Sequence, residues 1–217
     1  MEHRVSDVGV VDKAVAVLDA VATGPLALGD LQRITGLPRA TAHRLAVALE
    51  AHGLLRRDAD GRFLLGLHLA SLGRAAIATF PLADLARPAL EDLRASTGES
   101  VQLYVLDGDA RRCIASLDSP SELRTIVPVG SRLPLDRGSA GKVLAEPGSW
   151  ARRGWVESVE EREPGVASVS APVRGADGAV LAAVSVSGPV GRTTRQPGRR
   201  YGTALLAAAA AVEHAVV

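Results

Sequence analysis

The sequence predicts an α+β protein in two parts joined by a helix. A small N-terminal part is helical and ends in a basic hairpin, and a larger C-terminal part is built on a central antiparallel sheet. Three observations predict it. Apolar residues recur at helical spacing up to residue 52, and two short β-like runs then flank an Asp60-Gly61 pair. A long apolar stretch follows and breaks at Pro81. Beyond Pro81 the period switches between helical and alternating, with turn signals between the runs.

In the first part, Val11, Ala14, Val15, Leu18 and Val21 give one apolar face to a first helix, which Gly24-Pro25 ends. Leu28, Leu31 and Ile34 form a second, shorter stripe that stops at Gly36. Pro38 suits the first turn of a third helix, where a missing N–H costs nothing. That helix spans about 38–52, with Ala42, Leu45, Ala46 and Leu49 inward and Ala40, His43, Arg44 and Val47 outward; Gly53 is its C-cap. Runs 54–57 and 62–65 flank Asp58-Ala59-Asp60-Gly61, a hairpin signal, with Phe63 packed on the third helix. Helix, short helix, glycine turn, helix and basic hairpin make a winged helix-turn-helix over residues 1–66, its third helix shaped to lie in a DNA groove.

Residues 67–80 form a linker helix that is apolar on more than one face (Leu67, Leu69, Leu72, Ala75, Ala76, Ile77). Pairing with a second copy buries that surface; packing on the chain's own domains is the alternative. The second domain covers 81–217. Its expected elements are an amphipathic helix over 82–97, strands over 101–106, 112–117 and 124–129, and a short helix over 140–145. Strands over 168–173 and 180–187 and a closing helix over 201–216 complete it.

Composition narrows the function. The chain has 217 residues, 47% of them hydrophobic, enough for packed cores. Aromatics are 3%, which argues against single-strand or RNA binding by base stacking. Net charge is only +1, but residues 33–62 carry six arginines against Glu50, Asp58 and Asp60. On charge alone this fits a basic patch or an ordinary solvated surface. Cys113 is the single cysteine, so no intrachain disulfide forms; it reads as a small buried hydrophobe rather than a redox sensor. No metal-ligand spacing and no cofactor motif is present, and the N-terminal segment lacks a signal-peptide core. The longest apolar run, 204–212, falls short of the ~20 residues that span a bilayer, so a soluble cytoplasmic protein without a membrane partner is expected.

The chemistry of two sites follows. Arg39 and Thr41 stand in the first turn of the third helix, where backbone N–H groups favour phosphate. His43 and Arg44 face outward, and Arg44 suits a bidentate pair with guanine. Arg57 and Arg62 on the wing reach phosphate or the minor groove; plain surface residues are the alternative. A dimer would need a roughly palindromic operator. In the second domain Ser168, Ser170, Ser185 and Ser187 sit on two apolar strands, and each pair shares a sheet face. Convergent hydroxyls around a small-molecule pocket and cross-sheet serine pairing both fit this pattern. Asp136 and Arg137 read as a local ion pair at the pocket rim. Catalysis finds little support, since no nucleophile elbow, P-loop or dinucleotide glycine pattern occurs.

Several segments together carry a resemblance: Leu37-Pro38 with Thr41-Ala42-His43-Arg44-Leu45, Leu49-Glu50-Ala51-His52-Gly53, Leu133-Pro134-Leu135, Gly141-Lys142, Glu163-Pro164-Gly165, Ala171-Pro172-Val173 and Ser185-Val186-Ser187-Gly188-Pro189. They run in order along nearly the whole chain, which resembles an IclR-type transcription regulator. Within that family, Arg152-Arg153-Gly154-Trp155 and residues 161–175 resemble the actinobacterial branch that controls leucine and related amino-acid biosynthesis genes. The resemblance implies a GAF-like effector-binding domain whose contacts fall at Ser139, Ala140, Ser158, Ser168, Ser185 and Ser187. It implies a double-stranded DNA operator, a small-molecule effector (an amino acid or small carboxylate) and a homodimer or homotetramer. Backbone N–H groups at 139–141 would suit a carboxylate. One departure stands out: residues 146–151 join segments that the family separates by a longer helical stretch. Two alternatives follow, a DNA-binding regulator whose shortened sensor binds no effector, and a small-molecule enzyme with a helical interaction domain.

Overall fold

The computed structural model describes residues 8–78, 81–146 and 148–216. The chain divides into two compact units, 1–80 and 81–217.

In the first unit α1 (Gly9–Val21), α2 (Leu28–Thr35) and α3 (Arg39–Ala51) precede a hairpin of β1 (Leu55–Arg57) and β2 (Phe63–Leu65). The hairpin is antiparallel, with Arg57 opposite Phe63. Gly36 caps α2 in a left-handed conformation, φ 68°, which lets the chain turn at once into α3. Pro38 is the residue just before α3, so the ring blocks no helical hydrogen bond. The core gathers Val17, Ala20 and Val21 of α1, Leu31, Ala46 and Leu49 of the next two helices, and Leu55 and Phe63 of the hairpin. Phe63 is thus a shared core residue, tied by backbone bonds to Leu26 as well. The packed stripe of α1 is Ala14, Val17, Leu18 and Val21, a rotation from the expected face. Val11 and Val15 lie in solvent at its border, and Ile34 is exposed too, because α2 buries only Leu31. A last helix, α4 (Leu67–Ala78), presents nearly every described side chain to solvent, Leu67 at 81%.

In the second unit α5 (Leu82–Thr97) leads into β3 (Ser100–Asp107), β4 (Ala110–Leu117) and β5 (Arg132–Pro134), then α6 (Ser139–Ala145). Next come β6 (Val156–Val159), β7 (Val166–Arg174) and β8 (Val180–Pro189), a short α7 (Val190–Thr193), and α8 (Pro197–Val216). The strands form one antiparallel sheet in the order β5-β4-β3-β8-β7-β6.

Alternation sorts this sheet into two different faces. Val101, Leu103, Val169, Ala171, Val173, Ala182, Val184 and Val186 pack against α5 and α8. The other face carries Tyr104, Cys113 and Ala183 against Ala140, Val143 and Leu144 of α6. Ser168, Ser170, Ser185 and Ser187 share the parity of that second face. Trp155 completes the α8 packing: a Cβ on Gly198 or Gly202 would meet its ring at 2.1 or 2.7 Å, so only glycine fits. Buried Glu99, just ahead of β3, accepts two hydrogen bonds from Arg192 of α7 at 2.8 and 2.9 Å.

The stretch 124–129 departs from the expected strand and is irregular. Pro128 has no N–H for a ladder, and Val127 turns its side chain into the α6-side cluster. Gly130 and Ser131 instead pair with Cys113 and lead into β5. β6 and α7 were not expected; each is four residues long, too short for a periodic signal. Among the described residues, the connection from α6 to β6 contains only turns and bends.

Candidate functional site

Each unit carries one candidate surface. In the first, α3 turns Ala40, His43, Arg44 and Val47 to solvent while Ala42, Ala46 and Leu49 are buried. Arg39 is exposed at the helix start, and Thr41 is half-buried. Neither Arg39 nor Arg44 has an ion pair among the described residues. The wing arginines differ. Arg57 donates through Nε to Glu50 at 3.1 and 3.2 Å, and its guanidinium lies 4.4 Å from the centre of the Phe63 ring. Arg62 pairs with Asp58 at 2.8 Å and Asp60 at 3.0 Å. Free cations on the helix and held cations on the wing make this face attractive to phosphate, with the helix the readier part.

In the second unit a cavity opens on the α6 side of the sheet, with a volume of ≈ 30 Å³, room for one or two waters. Ser139, Ala140, Ser158, Ser168, Ser185 and Ser187 all line it. Residues from α6 and from the three consecutive strands β6, β7 and β8 are therefore brought together. Ser139 is the hub, with its Oγ 2.7 Å from Ser168 Oγ and 2.7 Å from Ser170 Oγ. Ser187 donates to Gln102 Oε1 at 2.9 Å. Cross-sheet serine pairing and a hydroxyl-lined cavity thus coexist. Ser170 sits behind the cavity wall, fully buried.

Six further lining residues were not expected at the site: Tyr104, Arg111, Gly138, Arg162, Glu163 and Val166. Arg111 is 3% exposed. Its Nη1 donates to the Pro134 carbonyl and, at 2.8 Å, to the Arg137 carbonyl, and its guanidinium lies 5.5 Å from the Tyr104 ring centre. Nε has no partner. Burial pushes the Arg111 guanidinium below its usual value, and the Arg162 charge adds to that. Burial likewise pushes the Tyr104 phenol up. Gly141 makes room for the guanidinium, since a Cβ there would stand 2.6 Å from Arg111 Nη1. Arg111 and Cys113 share the parity of the cavity face, but the strand was expected to start at Arg112, and β4 begins two residues earlier, at Ala110.

The start of α6 already meets an anion of its own. Glu161 accepts from the Gly138 N–H at 3.2 Å and from Lys142 Nζ at 2.5 Å. Burial works against its charge, but these bonds more than offset it and hold the carboxyl below the usual glutamate value. Asp136 and Arg137 do face each other, at 3.7 Å, yet both are well exposed and neither lines the cavity. Cys113 is fully buried, and burial pushes its thiol up to about 12. No group of metal-binding side chains occurs among the described residues, and no helix there is long and apolar enough to cross a membrane.

Comparison with known proteins places these features. Residues 10–59 match the IclR helix-turn-helix domain. Residues 74–151 and 149–214 match the C-terminal domain described as "Bacterial transcriptional regulator IclR C-terminal", in two pieces that meet where the connection is short. The HTH-type transcriptional regulator KipR of Bacillus subtilis is 26% identical over 216 residues, covering 84% of this chain and 86% of that one. The glycerol operon regulatory protein of Streptomyces coelicolor is 29% identical over 219 residues, covering 85% and 86%. Among solved structures, an IclR homolog from Microbacterium hydrocarbonoxydans complexed with 4-hydroxybenzoate superposes with a TM-score of 0.79 at 23% identity, covering 95% of this chain and 98% of that one. With the winged helix-turn-helix and the helix-flanked sheet both accounted for, the chain belongs to the IclR family of DNA-binding transcriptional regulators.

Proposed function

We propose that this regulator senses a small carboxylate, an amino acid or organic acid, and controls genes of amino-acid metabolism of the leucine type. The observation that carries the sensing half is the gathering of Ser139, Ser158, Ser168, Ser185 and Ser187 around one small cavity. The solved homolog that holds 4-hydroxybenzoate supports it, as a protein of this fold complexed with a small acid. In this reading residues 1–66 bind the operator, 67–80 pair with a second copy in a dimer or tetramer, and 81–217 hold the effector. Arg39, Thr41, His43, Arg44, Arg57 and Arg62 make the DNA contacts, and the protein acts in the cytoplasm. Effector binding shifts the sensor between two arrangements, a coupling typically worth about 1–3 kcal/mol. The test is selection of operator DNA from random sequence, then mobility shift on that operator with and without amino acids. Palindromic half-sites about 10 base pairs apart, or a multiple, are expected. No specific binding at low salt overturns the reading.

A second reading, DNA binding without sensing, draws on the small cavity and the short connection after α6. Thermal shift separates the two, since a ligand at 100 times its Kd adds about 2.7 kcal/mol of stability. Stabilisation by any one effector removes this second reading.

A further inference from the structure

Arg111 places a buried guanidinium at the cavity wall. Arg111 is 3% exposed and forms no ion pair among the described residues. Its partial compensation comes from the Pro134 and Arg137 carbonyls and the Tyr104 ring face, none of which carries a formal charge. Its Nε donor points at no acceptor. The acid whose field reaches it, Asp136, is exposed and faces Arg137. Arg162, half-buried, lines the same space and also lacks an ion pair among the described residues. Two guanidiniums thus face one small cavity. A buried charge normally carries a partner, because desolvation is costly unless an opposite charge answers it.

Other polar groups around the space are better satisfied. Ser139 is shared between Ser168 and Ser170, Ser187 is bound to Gln102, and Glu161 is occupied by Lys142 and Gly138. Ser185 is the exception: it is 3% exposed and lines the cavity, and its hydroxyl makes no hydrogen bond among the described residues. An unpartnered guanidinium N–H and an unpartnered hydroxyl therefore share one wall system.

From this we propose that Arg111 is the anion receptor of the sensor cavity, taking the carboxylate of a small organic acid that has no ammonium on the neighbouring carbon, with Ser185 meeting a second polar atom. The assignment rests on the effector reading above and narrows it. An α-amino acid carries its ammonium next to the carboxylate, so it would bring that cation against Arg111 and Arg162. The one lining acid left without an ion pair, Glu163, is exposed and offers such an ammonium little desolvated counter-charge. A keto, hydroxy or unsubstituted acid brings no such repulsion. Arg is suited to the role because its planar fork meets both carboxylate oxygens at once.

The test uses the full-length protein with three matched sets read by calorimetry and thermal shift. The acids are propionate, butyrate, isovalerate, 2-oxobutyrate and benzoate, the neutral set is their amides, and the third set is their 2-amino counterparts where these exist. At least one acid is expected to bind tenfold or more tighter than both its amide and its amino counterpart. Arg111→Gln is expected to abolish that preference and weaken the acid at least tenfold, and Arg162→Gln to weaken it less. If Arg111→Gln fails to fold, the acid-to-amide ratio on the unaltered chain still decides the matter. Preferential binding of amides or amino acids overturns the receptor assignment while the effector reading stands. Binding of no compound from any set overturns both.

Discussion

Arg44→Ala tests the DNA surface most directly. Arg44 is exposed on α3 and holds no ion pair among the described residues, so no internal contact must break before it meets a base. The full worth of a bidentate guanine contact, about 1–3 kcal/mol, is then available, and its loss weakens each half-site about five- to 150-fold. Arg57 behaves differently. It must first give up Glu50, a pair whose side chains are 38% and 33% exposed, worth roughly 0.2–1 kcal/mol. Arg57→Ala is therefore expected to weaken all sequences evenly and to lower the salt slope by about 0.9 per phosphate lost. Fluorescence anisotropy on the selected operator and its single-base variants, repeated over a salt series, separates the two. Arg44→Ala should erase discrimination at one position, and Arg44→Lys should not restore it, because an ammonium lacks the fork. If Arg44→Ala binds within about twofold of the unaltered protein at every salt and every base variant, the outward face of α3 does not lie in the groove.

Four other outcomes follow from the same geometry. Glu50→Gln frees Arg57 and is expected to tighten DNA binding by up to about fivefold at low salt; weaker binding would mean that Arg57 is needed in its held position. Ser139→Ala removes the hub between Ser168 and Ser170 and should cost about 1–3 kcal/mol, lowering Tm by roughly 2–12 °C in calorimetry; an unchanged Tm would show the hydroxyls are met by water instead. Glu161 has a folded pKa below its ordinary 4.5, so its contribution is present above that value and is lost as pH falls through the folded pKa. The Tm gap between the unaltered protein and Glu161→Gln should accordingly shrink on acidification below pH 4.5, and a gap that stays constant contradicts the Lys142 and Gly138 bonds. Cys113, fully buried with its thiol pushed up to about 12, should resist iodoacetamide at pH 8 until the chain unfolds; fast alkylation of native protein would refute its burial.

How legible all this was in the sequence depended on the range of the forces involved. The elements of the first unit were readable because each is set locally: Gly36 forces the turn, Pro38 starts α3, and Asp60-Gly61 closes the hairpin. The face of α1 was less so. Val11 and Val15 fit the helical period as well as Val17 does, and only the position of Phe63 and Leu31 decides which stripe packs. The same holds for Ile34. In the second unit the long strands β7 and β8 announced themselves by alternation, whereas β6 and α7 are too short to do so. Residues 124–129 look like a strand by composition, yet Pro128 denies the ladder a donor. The six expected cavity residues came from resemblance, and the sequence alone left cross-sheet pairing open. Arg111 could not be singled out, since its burial arises from Gly138, Gly141 and the Arg137 carbonyl, all contributed from beyond β5.

The two faces of the C-terminal sheet separate apolar packing from buried polar groups. One face is Val, Leu and Ala throughout, and α5 and α8 cover it with residues such as Leu90, Leu93, Leu205 and Val212. Burial of that kind is non-directional and supplies the bulk of the folding free energy. The opposite face spends some of that margin on serines, a glutamine and an arginine, each of which needs a partner once removed from water. Most of them find one within the chain. Some do not: Gln102 Nε2, Arg111 Nε and Ser116 Oγ are buried without a partner, and of these three only Arg111 lines the cavity. An apolar residue of similar volume in place of a buried charge is often neutral or stabilising, so the Arg111 guanidinium is a cost to the fold. That cost falls on the α6 side of the sheet, away from the face that supplies most of the apolar burial.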